Sequence, residues 1–128
     1  MTDTEILQIA VRTLDEKLGK DIKVIRIRDV SSIANYFVLA TGTSSTQVKT
    51  LADMVENKLS KSGTVPRRIE GYRGADWIVL DYIDVIVHIF YKDTREFYDL
   101  ERLWQDGEAV DIGELLEADA ERPGKVAL

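Results

Sequence analysis

Residues 76–90, DWIVLDYIDVIVHIF, place Asp76, Asp81, Asp84 and the chain's only histidine, His88, inside an otherwise apolar run. Such a set could hold a metal, support a histidine base beside a nucleophile, or form the polar part of a surface that grips another protein. Each use demands its own spacing. With no cysteine and one imidazole, a structural zinc site lacks ligands, and disulfides are excluded. A hard-cation site built from carboxylates remains to be judged by spacing. A Ser-His-Asp triad would have to recruit His88 from between Val87 and Ile89, and the chain contains no G-x-S-x-G nucleophile turn. His88 then reads as a strand histidine whose ring nitrogens find water or a neighbour.

A second candidate is Thr41-Gly-Thr-Ser-Ser45, where a strand end runs into a helix start and backbone amides could receive a phosphate. It has neither the lysine of a P-loop nor the three glycines of a dinucleotide site, which favours a plain capping turn. The turn is also similar to one in nucleotidyltransferases, which follow it by about ten residues with two metal-holding carboxylates one residue apart. Here that interval lands on Asp53 and Glu56, inside an amphipathic helix. Asp81 and Asp84 are three apart, and on one continuous strand they would point to opposite faces. The two-metal geometry is poorly supported, and no cofactor is indicated.

The elements that must position these residues follow from periodicity. Thr2 to Glu5 fits a capping box, and Leu7, Val11, Leu14 and Leu18 then mark a one-sided helix ending at Gly19. Lys23–Arg28 reads as a half-exposed strand, and the uniformly apolar Tyr36–Ala40 as a strand covered on both faces. Ser44 and Gln47 cap a helix with Val48, Leu51, Ala52, Val55 and Leu59 on one stripe, ended by Gly63. Residues 65–71 hold another candidate strand, 77–81 and 85–91 read as two more, and Asp93–Glu96 opens a helix carrying Phe97, Leu100, Leu103 and Trp104. The order indicates an α/β (α+β) domain, a mixed sheet flanked by helices, over residues 1–104. Residues 105–128 carry seven acids against two bases and include Pro123-Gly124. Ile112, Leu115 and Leu116 allow a weak helix there, but composition favours an acidic, mobile tail.

Residues 1–104 carry sixteen acids and fifteen bases within a chain of net charge −6, without the basic footprint of a nucleic-acid binder. No apolar run reaches the roughly 18 residues of a membrane span, and the start at Met1 has no signal-peptide pattern, so a cytoplasmic protein is expected.

Folding residues 77–90 into a hairpin brings the polar residues together. A tight loop would set Asp81 opposite Asp84, Val79 opposite Ile86 and Trp77 opposite His88, all on one face. The other face, with Ile78, Leu80, Val85, Val87 and Ile89, is plain core. The first face mixes aromatic, aliphatic, acidic and imidazole groups, as a contact surface does, and a basic partner would relieve the repulsion between the aspartates. Trp77 can be read as an anchor on that surface or as core packed beneath a helix.

In this order, Asp21-Ile22, Ser31-Ser-Ile33, Ala40-Thr-Gly-Thr-Ser-Ser45, Glu70-Gly71, Asp76-Trp77, Asp81, Asp84-Val-Ile-Val-His88 and Phe97-Tyr-Asp-Leu-Glu-Arg-Leu-Trp104 resemble the ribosomal silencing factor, or iojap, family over about residues 4–105. The resemblance implies a nucleotidyltransferase-like fold without the catalytic carboxylates. It also implies binding to the large ribosomal subunit through ribosomal protein fourteen, little direct contact with nucleic acid, and a steric block to subunit joining that represses translation when nutrients are short. Homodimers occur among such proteins. The family motif falls on Trp77, Asp81, Asp84 and His88. A metal-dependent nucleotidyltransferase-like enzyme is the alternative.

Overall fold

The computed structural model describes the backbone of residues 1–120 and the side chains of residues 1–117. Helix α1 (Asp3–Glu16) begins on the expected capping box: Thr2 Oγ1 accepts from the Glu5 amide at 3.1 Å, and Glu5 accepts from the Thr2 amide at 2.9 Å. Ile6, Leu7, Ala10, Val11 and Leu14 form its buried stripe. Leu18 does not extend that stripe. The helix has already ended, Leu18 takes φ +65°, and its side chain is 71% exposed.

Strand β1 (Lys20–Arg26) pairs antiparallel with β2 (Tyr36–Gly42), with a bulge between Lys20 and Lys23. Buried from Phe37 onward, β2 is the doubly covered strand its composition predicts. Ser44 caps α2 (Ser45–Lys61), and all five predicted stripe residues are buried. The chain then lays down β3 (Arg68–Glu70), β4 (Trp77–Asp81) and β5 (Val85–Tyr91), and β5 returns parallel to β2. With β6 (Glu108–Val110) the result is a mixed six-stranded sheet in the order β3-β4-β5-β2-β1-β6.

The predicted helix from Asp93 to Trp104 is in fact two short ones, α3 (Lys92–Tyr98) and α4 (Leu100–Leu103), broken at Asp99 with φ +46°. Aspartate is among the few residue types that enter the left-handed region readily, so a turn is cheap there. The break turns Phe97 and Leu103 outward, 80% and 74% exposed, while Leu100 stays buried.

The boundary at residue 104 does not hold. Strand β6 (Glu108–Val110) pairs with β1, and α5 (Ile112–Ala120) packs against α1, with Leu115 only 7% exposed in the core. Gly107 permits the entry: a Cβ there would fall 2.6 Å from Ile25 Cγ2 and 2.9 Å from the Arg26 carbonyl oxygen. In α5, Glu114 and Glu117 are exposed while Leu115 is buried and Ile112 and Leu116 are half-buried, a pattern that bulk composition hides. The rest of the predicted tail, residues 121–128, lies outside the described residues.

Two cores result. Helices α1, α2 and α5 cover one face of the sheet over Val24, Val38, Ala40, Ile78, Leu80, Val87 and Ile89. On the other face, Ile27, Ala34 and Leu100 cover Phe37, Leu39, Ile86 and Phe90, with Trp77, Val79 and Trp104 at the margin. That second, smaller core carries the candidate site.

Candidate partner-binding surface

The β4–β5 hairpin sits two residues out of the predicted register. Trp77 lies opposite Phe90, Val79 opposite His88 and Asp81 opposite Ile86. The loop is Ile83-Asp84, closed by the Tyr82 amide donating to the Val85 carbonyl at 2.9 Å, with Ile83 at φ +71°. A shift of two preserves face parity, so Trp77, Val79, Asp81, Ile86 and His88 do share a face. Asp84 does not. It sits exposed in the turn, where its carbonyl accepts from the Asn35 and Tyr36 amides at 2.8 and 3.0 Å.

Nor does Asp81 wait for a basic partner. Its Oδ2 accepts from Arg67 at 2.7 Å, and its Oδ1 accepts from the Ile83 amide at 2.8 Å. Partial burial pushes the carboxyl upward in pKa, but Arg67, the Ile83 amide and Arg68 outweigh it and hold the group below the ordinary carboxylate range. The cation that a partner was expected to bring comes from this chain, from the segment entering β3.

His88 is 6% exposed, and burial lowers its pKa to about 4, so the ring is neutral. Trp77 Nε1 donates to His88 Nδ1 at 3.1 Å, which assigns the remaining ring proton to Nε2. The Phe37 ring meets the imidazole edge-on at 4.6 Å. His88 is therefore an interior acceptor that fixes the tryptophan, and Ile86, 8% exposed, is core as well.

Of the six residues assigned to a contact surface, Trp77 and Val79 are half-buried and Asp84 is exposed, whereas Asp81, Ile86 and His88 lie inside. Trp77 falls between the two sequence readings: it stacks on Phe90 at 4.9 Å, meets Tyr98 at 5.0 Å, and keeps an open side. Beyond it the surface continues over Phe97, Tyr98 (56% exposed) and Leu103, although periodicity alone predicts a helix stripe for Phe97 and Leu103. A usable signal was present. Adjacent residues on a helix point about 100° apart, so Phe97 and Tyr98 cannot share one narrow buried stripe.

Arg95 holds this surface in place. It is 7% exposed and spans four elements: Nε and Nη2 donate to Glu101 at 3.1 and 3.2 Å, and Nη1 donates to the Asp21 carbonyl and Thr41 Oγ1, both at 2.7 Å. Lys23 Nζ also reaches Glu101, at 3.3 Å. Burial raises the Glu101 carboxyl, but Arg95 and Lys23 outweigh it and bring it below its ordinary value. Helices of seven and four residues do not stand alone, and neither has a side-chain cap, so this network fixes their position.

The other candidates lack a site's geometry. In the Thr41–Ser45 loop, Gln47 accepts from the Thr43 amide at 2.6 Å and Ser44 caps the Gln47 amide, the capping turn expected. Asp53 accepts from the Tyr72 hydroxyl at 3.1 Å on the outer side of α2. Among the described residues no group of three or more His, Cys, Asp or Glu side chains could hold a metal ion, and no helix is long and apolar enough to cross a membrane.

The domain is a mixed α+β fold that carries a fixed, partly aromatic surface. Residues 1–127 match the family described as "Ribosomal silencing factor during starvation", and the chain belongs to that family, one of non-enzymatic ribosome-binding factors. It is 36% identical over 112 residues to Ribosomal silencing factor RsfS of Halalkalibacterium halodurans, covering 88% of this chain and 96% of that one. Against the protein of the same name from Haemophilus influenzae it is 41% identical over 99 residues, 77% of this chain and 97% of the relative. A crystal structure of a Chromobacterium violaceum protein superposes with a TM-score of 0.80 at 35% identity, covering 82% of this chain and 88% of that one.

Proposed function

We propose that the protein binds the large ribosomal subunit through ribosomal protein fourteen, on the Trp77–Phe97–Tyr98–Leu103 surface, and by occupying that place keeps the small subunit from joining, repressing translation in nutrient limitation or stationary phase. The observation that carries the placement is the exposure of Phe97 and Leu103 beside a half-buried tryptophan whose orientation His88 fixes. Large apolar groups left in water on a rigid frame are costly unless a partner covers them. Val79, half-buried, follows Trp77 on the same sheet face and His88 holds the tryptophan from within, while Asp81 and Asp84 lie at the turn end of the hairpin.

The net charge of −6 favours a protein partner over RNA as the main contact. The scaffold is that of a nucleotidyltransferase stripped of its carboxylate pair, and the protein works in the cytoplasm. Co-sedimentation tests the reading: the protein is expected to travel with isolated large subunits and not with joined ribosomes. Equal recovery with both would place its site away from the subunit interface. Homodimer formation through another face is compatible with this function and would appear as doubled mass in light scattering.

A further inference from the structure

With Asp81 neutralised by Arg67, a basic partner must be met elsewhere on the surface. A groove of about 520 Å³ opens between the loop 71–76 and α3, with Trp77, Phe97 and Tyr98 as walls, and Asp76 and Asp93 among its lining residues. We propose that this groove receives an arginine or lysine side chain of the protein partner, its stem lying along the aromatic rings and its charge meeting Asp76 and Asp93. This rests on the partner-binding reading above and adds the chemistry of one contact.

Charge complementarity selects the occupant. The groove's lining includes two carboxylates and no base; Arg73, in the same loop, is exposed but does not line it. A phosphate or carboxylate would be repelled, and a purely apolar side chain would strip water from the two acids without compensation. The walls favour a cation for a separate reason. The Trp77 N–H is committed to His88, so the indole has only its ring to offer, and ring faces attract ammonium and guanidinium groups.

The groove is also formed in advance of binding. Gly71, at φ +77°, lies so close to β4 that a Cβ there would collide with the Trp77 carbonyl, which makes one side of the groove close-packed backbone. The opposite wall is held by the buried Arg95. A preformed site loses little conformational entropy when filled.

The test is binding to isolated large subunits across a potassium chloride series, comparing wild type with the double variant Asp76→Asn/Asp93→Asn. Two further variants separate the outcomes. Asp15→Asn/Glu16→Gln makes the same charge change at the exposed end of α1, on the other side of the sheet, and Phe97→Ser removes an exposed wall. The groove double variant is expected to bind roughly tenfold more weakly at low salt, with the gap closing as salt screens the contact, while the α1 variant matches wild type. Both groove aspartates are exposed, so the thermal transition should be unchanged; each single variant, measured alongside, is expected to show part of the loss. Wild-type affinity in the groove variant together with loss in Phe97→Ser would overturn the cation site and leave the surface reading standing. Tighter binding of the groove variant would mean an anionic neighbour, such as RNA phosphate, and would also overturn it. If Phe97→Ser binds like wild type, the surface reading fails and the groove proposal fails with it.

Discussion

Replacing His88 by glutamine should remove a specific part of the protein's acid sensitivity. In the folded state burial lowers the imidazole pKa to about 4, against an ordinary value of 6.5. A base whose folded pKa is depressed takes up a proton on unfolding, so its stabilising effect is complete above the unfolded pKa and is lost as pH falls toward the folded one. Between pH 7 and pH 5 this linkage removes about 2 kcal/mol, nearly all of it from His88, since unfolded carboxylates are still mostly ionised at pH 5. Asp81 and Glu101, whose pKa values are lowered by ion pairs, add their own loss at more acidic pH. Glutamine retains an acceptor for the Trp77 N–H but cannot titrate. Urea unfolding at pH 7, 6 and 5 is expected to show wild type losing about 2 kcal/mol while His88→Gln stays nearly level. Parallel curves for the two proteins would refute the burial of a neutral imidazole at this position.

Three other substitutions probe separate parts of the structure. Phe97→Ser should leave the thermal midpoint within a degree or two, because the ring is 80% exposed, yet weaken binding to large subunits about tenfold or more, as read by co-sedimentation. Arg95→Met should cost roughly 3 kcal/mol by leaving Glu101 with Lys23 alone and the Asp21 carbonyl and Thr41 Oγ1 without their donor, and hydrogen exchange should quicken in residues 92–104 before the sheet. Leu115→Ala should cost about 2–3 kcal/mol in denaturant unfolding; no loss of stability would restore a mobile tail beyond residue 104.

Much of the fold was legible in the sequence because strong periodicity and local capping agree there. The α2 stripe from Val48 to Leu59 and the alternation in β4 and β5 are set by burial against one continuous core, and burial imposes the period. Hairpin register was not legible: moving the turn from Tyr82-Ile83 to Ile83-Asp84 takes Asp84 out of the ladder but leaves every apolar strand residue on its face, so the hydrophobic pattern cannot discriminate between the two. Asp81 looked like a surface acid because its partner, Arg67, is brought to it only by β3 pairing. The outward turn of Phe97 and Leu103 depended on the backbone at Asp99 and on a guanidinium that reaches across four elements. Such links join residues as far apart as Asp21 and Arg95, and local sequence holds no trace of them.

The order of addition tests steric exclusion most directly. Protein mixed with free large subunits before small subunits should reduce the joined-ribosome peak on a sucrose gradient, and Phe97→Ser should restore it. The same amount added after joining should leave the peak unchanged, because the surface it needs is then covered. Equal loss of joined ribosomes in both orders, or inhibition undiminished by Phe97→Ser, would contradict a factor that acts by filling the subunit interface through this face.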